Sequence, residues 1–197
     1  MPDLLLRWLR LFPGTDPAFA DLVARYGEPT RHYHTLGHIR AVLDHVETLW
    51  PEAPQALALA AWLHDVVYDS RAADNEERSA DYTRALLPTL GVAESTIDET
   101  ARLILLTRSH ETGPADRAGQ TLLDADLAIL AAHETTYDAY ADAIRREYAW
   151  VPDPDYRAGR QLVLERFLVR PRIFFAMEMI EAEPRARANL AREISRL

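Results

Sequence analysis

The sequence contains no cysteine. That absence excludes disulfide bonds, thiolate metal sites and a cysteine nucleophile from whatever this chain does. It also fits a protein of the reducing cytoplasm, where thiol chemistry is not needed for stability. Any catalytic nucleophile must therefore be another group.

Lysine is absent as well, so all 22 basic residues are arginine, against 31 acidic residues and a formal net charge of −9. We attribute the arginine bias first to genomic base composition, although arginine also suits bidentate contacts to phosphate. The acidic balance argues against an extended nucleic-acid surface. A compact ligand held by a few placed arginines fits such a surface better than a polymer does.

Long hydrophobic runs are also missing. The apolar N-terminal stretch MPDLLLRWLRLF is interrupted by Arg7 and Arg10, and no small-residue cleavage site follows it. No window approaches the roughly 18 uninterrupted apolar residues of a membrane span. We therefore expect a cytoplasmic protein without a membrane partner.

What the chain does have is helical periodicity, with almost no strand alternation. Hydrophobic residues make up 48% and charged residues 27%, a globular balance, and there is no repeat or long linker. Asp74 and Glu77 have the spacing of a capping box. We expect one all-α domain over residues 1–197, with helices at about 2–12, 16–26, 36–50, 55–68, 75–90, 97–109, 120–132, 134–149, 155–170 and 185–196.

Adjacent His64 and Asp65 stand in the apolar run AAWLHDVVYD. A carboxylate in so apolar a setting must be ion-paired, hydrogen-bonded or bound to a metal. Taken alone, this pair leaves a buried hydrogen-bonded pair and a metal site equally open.

Two further segments supply candidates of the same kind. His38 lies at the start of a predicted amphipathic helix, on or beside its apolar face. Asp124 and Asp126 lie within LLDADLAIL, where aspartates lower helix propensity and are costly to bury. A lone helical histidine is more often a core or surface residue than a ligand. Several candidate ligands in one helical core favour a metal site.

The ordered set of His38, His64-Asp65 and Asp126 on successive helices resembles the HD superfamily of metal-dependent phosphohydrolases. The chain is closer still to a bacterial group of predicted HD phosphohydrolases with four short motifs, found here as Tyr33-His34 to His38, His64 to Tyr68, Asn75 to Ala80, and Asp124 to Leu127. The resemblance covers about residues 30–130. It implies a single HD-type helical bundle, with C-terminal helices over 134–197 packed on this core.

The resemblance implies a metal site first. Its ligands would be His38, His64, Asp65 and Asp126, a set that suits Mn, Fe, Co, Ni or Zn, with Mg also admitted. Asp126 is preferred to Asp124 because the family's terminal ligand falls in the Ala-Asp element. Asp124 would then orient a ligand histidine from behind. Asp65 would both bind the metal and take part in catalysis.

Neighbouring residues would complete the site. His34 is expected to protonate the leaving oxygen as in cyclic-nucleotide phosphodiesterases, which share the Tyr-His-x-x-x-His element; the alternative is a loop histidine bonded locally. Glu76 is an acid/base or water-positioning candidate, although an acidic residue early in a helix is favourable in any case. Substrate contacts are expected from Arg31, Tyr33, Arg108 and His110.

The function expected from this resemblance is hydrolysis of a phosphate ester or phosphoanhydride of a small compound, with a nucleotide as the first expectation, by a metal-activated water. The sequence does not choose among monoester, diester and pyrophosphate cleavage, and it leaves homo-oligomerisation open. The alternative is a non-catalytic HD-like module that binds a nucleotide or a partner. A purely structural helical protein would have to satisfy several buried ionisable residues by hydrogen bonds alone.

Overall fold

A computed structural model of the protein describes residues 2–197, and within that range the secondary structure is helical, with no strand. The all-α prediction is therefore confirmed. The described chain forms ten α-helices: α1 (Pro2–Leu11), α2 (Asp16–Tyr26), α3 (Leu36–Leu49), α4 (Gln55–Leu63), α5 (Asn75–Leu86), α6 (Glu94–Leu106), α7 (Arg117–Leu127), α8 (Glu134–Glu147), α9 (Asp153–Leu168) and α10 (Glu183–Ile194). Short 3-10 turns cover Leu87–Leu90, Ala128–Ala131 and Met177–Ala182.

Helix α4 ends at Leu63, five residues before the predicted end at residue 68. The His64 N–H still bonds to the Ala60 carbonyl, but the Val66 N–H bonds to Leu63, three residues back, so the chain tightens and leaves the helix. The prediction that His64 and Asp65 are helical neighbours is wrong at this point. They lie in the turn that follows the helix, and this turn directs both side chains to the same point.

The capping box predicted at the start of α5 does not form. Asp74 occupies the N-cap position but makes no side-chain cap bond, and Glu77 pairs with Arg108 instead. Asn75 closes the preceding loop, because its side chain both accepts from and donates to the backbone of Asp69. The charged partner Arg108, which follows α6, takes the Glu77 side chain away from the start of α5.

The larger hydrophobic cluster joins α1 to α7 around α4, which is buried on every side except at Gln55 and the partly buried Ala58. Trp62 of α4 packs edge-on against Trp8 of α1, with ring centroids 5.5 Å apart. Each fully buried leucine of α4 contributes roughly 2 kcal/mol from the apolar area removed from water. This rigid centre fixes the direction in which α4 delivers the residues that follow it.

A second cluster joins the end of α7 and its 3-10 turn to α8, α9 and α10, around Tyr137, Leu164, Phe174 and Leu190. Because α7 contributes to both clusters, it links the C-terminal helices to the part of the chain that carries the histidines. Between residues 2 and 197 no helix combines the length and the apolarity needed to cross a bilayer.

Candidate metal centre and adjoining cavity

Four side chains, from α3, from the turn after α4 and from α7, converge on one point. Nε2 of His38, near the start of α3, lies 3.1 Å from Nε2 of His64 and 3.3 Å from Oδ2 of Asp65. Nε2 of His64 lies 3.1 Å from the same Asp65 oxygen. Asp126 of α7 places Oδ1 at 3.2 Å from His38 and 3.6 Å from His64. The structure thus brings together all four residues that the sequence proposes as ligands.

The spacing of these atoms suits a metal ion. A divalent ion about 2.1 Å from each ligand atom holds neighbouring ligand atoms about 3.0 to 3.4 Å apart in octahedral or tetrahedral geometry. His38, His64 and Asp65 form a group that can hold such an ion, and Asp126 Oδ1 lies beside both histidines. The donor set and its spacing therefore fit a metal, but they do not identify which one.

Local bonds prepare His64 for this role. Its Nδ1 lies 3.2 Å from the carbonyl oxygen of Ala61, one turn back in α4. A proton on Nδ1 satisfies that contact and leaves the lone pair of Nε2 directed at the cluster. The imidazoles of His38 and His64 are both buried, so bulk water does not compete for their Nε2 atoms.

The charges in the cluster reinforce one another. Burial lowers the pKa of His64, but the carboxylates of Asp65 and Asp126 outweigh it and raise that pKa well above its usual value. Burial likewise raises the pKa of Asp126, yet its bonds to His110, His38 and His64 bring that pKa well below the usual range. The carboxylates are thus held ionised, the form in which they bind cations, and a metal ion would replace the proton that the raised pKa keeps on the His64 ring.

Asp124, two residues from Asp126, serves a different purpose from the one predicted. Its Oδ1 accepts the N–H of Phe175 at 2.8 Å, and its Oδ2 accepts the N–H of Ala176 at 2.6 Å. Burial raises the pKa of Asp124 to about 6, although these backbone donors oppose the rise. The expectation that Asp124 orients a ligand histidine is wrong, because its carboxylate faces the segment between α9 and α10.

His34 has a buried carboxylate partner that the sequence analysis missed. Its Nδ1 lies 2.7 Å from Oε2 of Glu147, the last residue of α8. The other oxygen of Glu147 accepts the backbone N–H groups of residues 32, 33 and 34 at 2.7, 2.7 and 3.0 Å. Burial raises the pKa of Glu147, but the bond to His34, its charge and these N–H groups lower the pKa to about 2.

Two tyrosines of the quoted motifs pack against His34 and its neighbours. The ring of Tyr68 stacks on His34 with centroids 4.0 Å apart, and its hydroxyl donates to Glu147 at 3.1 Å. The ring of Tyr33 lies 4.8 Å from that of His38 and 5.1 Å from that of His34. Tyr33 also lines the adjoining cavity, so it lies where a substrate contact is expected.

Arg31 does not face the site as a phosphate clamp. Its side chain is fully buried, with Nη1 donating to the Asp65 carbonyl at 2.6 Å and Nη2 to the Val66 carbonyl at 3.0 Å. Nε pairs with Glu28 at 3.0 Å. The predicted substrate contact is corrected: Arg31 fixes the turn that carries His64 and Asp65, and its donors are used for that purpose.

His110 and Arg108 follow α6 toward the cluster. Nε2 of His110 lies 3.0 Å from Oδ2 of Asp126, on the carboxylate oxygen that does not face the two buried histidines. The backbone of His110 has a φ of +52°, a conformation that costs energy outside glycine. Arg170 holds this loop, since its Nη1 and Nη2 donate to the carbonyls of His110 and Ser109 at 2.8 Å.

The cluster opens onto a cavity of about 650 Å³, within the range of small-molecule sites. Asp65, Asp126 and His34 line it beside the predicted residues Glu76, Arg108 and His110. The exposed guanidinium of Arg108 is paired with Glu77. The cavity also extends along α8 and α9, a part of the chain for which the sequence analysis assigned no site residue.

We compared the chain with models of known protein families, with curated proteins and with solved structures, and none of them matches it. The resemblance to HD phosphohydrolases therefore stays a prediction from the motifs. The candidate metal centre and the cavity rest on their own geometry.

Proposed function

We propose that the protein is a metal-dependent phosphohydrolase acting on a small phosphorylated compound, with a nucleotide as the first candidate. The observation that supports it most strongly is the convergence of four buried or half-buried donors, two imidazoles and two carboxylates, at the wall of a cavity of about 650 Å³. We also propose that the protein is cytoplasmic, since a sequence without cysteine fits a reducing compartment.

His38, His64, Asp65 and Asp126 would hold the ion. When bound, a divalent cation supplies Lewis acidity toward a phosphoryl oxygen and lowers the pKa of a water molecule. The chain then has to place the phosphoryl group, handle the proton of the leaving oxygen and keep bulk water away. The cavity beside Asp65 and Asp126 gives the phosphoryl group room next to the ion.

His34 is suited to the proton transfer. Because Glu147 accepts the proton on Nδ1, Nε2 is the ring nitrogen that can give a proton to the leaving oxygen and recover one later. Tyr68 fixes the plane of the ring by stacking on it. Glu76, which lines the cavity at the start of α5, would orient a water molecule.

His110 and Arg108 would act on the phosphoryl group and the ligands. His110 holds one oxygen of Asp126, which leaves the other for the ion. Arg108 would exchange Glu77 for a phosphoryl oxygen, since its side chain is exposed and lies at the cavity wall.

The first test is the metal content of protein purified without chelators or a histidine tag, by elemental mass spectrometry. We expect one or two equivalents of a divalent metal in the wild type and in Asp98→Asn, an exposed control on α6. The metal should be lost in Asp65→Asn with the circular dichroism spectrum unchanged. Absence of metal, together with no uptake of Mn, Co, Ni or Zn, would contradict the proposal.

A panel of phosphate monoesters, diesters and pyrophosphates, assayed with the metal found, completes the test. Turnover that Asp65→Asn abolishes supports the hydrolase. A metal-loaded protein that binds members of the panel without hydrolysing any of them would favour the non-catalytic module instead.

A further inference from the structure

The cavity has two walls of different chemistry. One, the cluster wall, is formed by His34, Asp65, Asp126 and their neighbours. The other, the α8–α9 wall, is formed by Tyr140 and Ile144 of α8, by Tyr148 directly after that helix, and by Tyr156, Gly159, Val163 and Phe167 of α9. The α8–α9 wall carries no group that the proposed hydrolysis needs. Its size and composition therefore bear on what the substrate carries besides phosphate.

The α8–α9 wall is mostly aromatic and aliphatic. On α9, Gly159, Val163 and Phe167 follow one another at four-residue spacing, so they share one face of the helix. Tyr148 and Tyr156 stand beside that face with ring centroids 6.3 Å apart. Flat side chains around a cavity provide stacking surfaces for a planar group.

The charged groups that line the cavity give little support to a second or third phosphate, because the ion would offset the carboxylates of Asp65 and Asp126 and both lining arginines are already paired. Four carboxylates line it, those of Asp65, Glu76, Asp126 and Asp155, against two arginines. One of these, Arg160, is buried and bonded to Glu193 at 2.7 Å and to the Tyr140 hydroxyl at 3.2 Å. The other, Arg108, is paired with Glu77 at the cluster end of the cavity.

Gly159 keeps the α8–α9 wall open. Gly159 is exposed at the mouth of the cavity, and a Cβ atom built there meets nothing within 4 Å, so a larger side chain would fill free space beside this wall. Glycine in the middle of a helix is disfavoured relative to almost any other residue, and here no close approach of another chain segment requires it. Glycine therefore leaves the mouth of the cavity wider than any larger residue would.

We propose that the α8–α9 wall, kept open at Gly159, is the specificity subsite of the enzyme and takes a planar, uncharged aromatic group attached to a single phosphate. A nucleoside monophosphate or an aryl phosphate has this chemistry, whereas a nucleoside triphosphate or a small aliphatic phosphate does not. This inference rests on the proposed function, which it makes more specific. It assigns a role to helices outside the motif region.

The test uses Gly159→Leu, with Ala158→Leu as the matched control. Both place leucine at an exposed position in the middle of α9, where it is a good helix former, but only residue 159 lines the cavity. With adenosine monophosphate as substrate, we expect Gly159→Leu to raise KM about tenfold or more, which is the effect of losing one base-stacking contact. Turnover of glycerol 3-phosphate should change less than twofold, and Ala158→Leu should behave as the wild type.

Binding of adenosine, measured by calorimetry without added metal, separates this inference from the proposed function. Adenosine carries no phosphate, so its binding reports only on the subsite. Binding that Gly159→Leu abolishes and Ala158→Leu retains supports the subsite even in a preparation that lacks activity. Hydrolysis of adenosine triphosphate or glycerol 3-phosphate as efficient as that of the monophosphate, or equal KM values in both leucine variants, would overturn the subsite and leave the hydrolase standing.

Discussion

The region from the loop before α3 to the end of α7 and the region from α8 to α10 contribute to the same candidate site in different ways. The first supplies the groups that can bind a metal or transfer a proton: His34, His38, the His64-Asp65 pair and Asp126. The second supplies partners that hold the first in place, since Glu147 binds residues 32–34, Arg170 binds the His110 loop and residues 175–176 bind Asp124. Reactive groups are concentrated in one region, and their orientation depends on contacts from the other.

The sharpest way to test this division is to change two aspartates of one helix. Asp126→Asn removes a carboxylate from the cluster, and we expect hydrolysis to fall about 1000-fold because several kcal/mol of charge stabilisation are lost with the ion. Asp124→Asn should keep the metal and most of the activity. It should instead lower the free energy of unfolding by about 1–3 kcal/mol, since it disturbs a buried acceptor of two backbone N–H groups.

Metal content, steady-state rates and chemical denaturation of both variants check this pair. Loss of metal in Asp124→Asn, or full activity in Asp126→Asn, would reverse the assignment of the two carboxylates.

Glu147 should contribute to stability in a pH-dependent way. Its pKa in the folded protein is about 2, against an ordinary value of 4.5, so folding favours the ionised form. Its contribution, about 3 kcal/mol, is fully present above pH 4.5 and is lost as the pH falls from 4.5 toward 2. Urea denaturation of the wild type and Glu147→Gln should therefore give a difference that shrinks over this interval. A constant difference would mean that Glu147 acts through packing alone.

His34 should affect substrates according to their leaving groups. A poor leaving group, such as the alcohol of an alkyl phosphate, needs a proton, so His34→Gln should lower its turnover about 100-fold. The p-nitrophenolate of a p-nitrophenyl ester leaves without a proton, so the turnover of that ester should fall much less. The exposed neighbour His32, changed to glutamine, is the control. Equal losses with both kinds of ester would exclude proton transfer as the role of His34.

Arg170 should have the smallest effect, because it acts on the site through His110. Arg170→Gln removes two bonds that hold the loop in its unfavourable backbone conformation, and we expect about a tenfold loss in metal affinity, as for other residues that orient a ligand. Arg166→Gln, at an exposed position near the end of α9, should leave the affinity unchanged. Calorimetric titration with Mn or Co measures the metal affinity of both variants. An affinity of Arg170→Gln equal to that of the wild type would contradict this role of Arg170.

Much of the site could be predicted from the sequence because the signal is local. An ionisable residue among apolar neighbours, such as Asp65 or Asp126, must have a partner wherever the chain places it. Glu147 carried a weaker local signal, a carboxylate in the last turn of a helix, where the helix dipole disfavours it. Its partner His34 lies 113 residues away in the sequence, which no spacing rule can indicate.

The sequence by itself determined the helical architecture and the set of ionisable residues that need a polar or charged partner in its core. Both follow from neighbours along the chain, through periodicity and through the cost of burial. Only the tertiary structure decided how each residue is used. Asp124 and Asp126 differ by about 200° around one helix, so packing turns one toward the cluster and the other toward residues 175–176. Arg31 stabilises the turn after α4 because its buried guanidinium needs acceptors, and the carbonyl groups of that turn supply them.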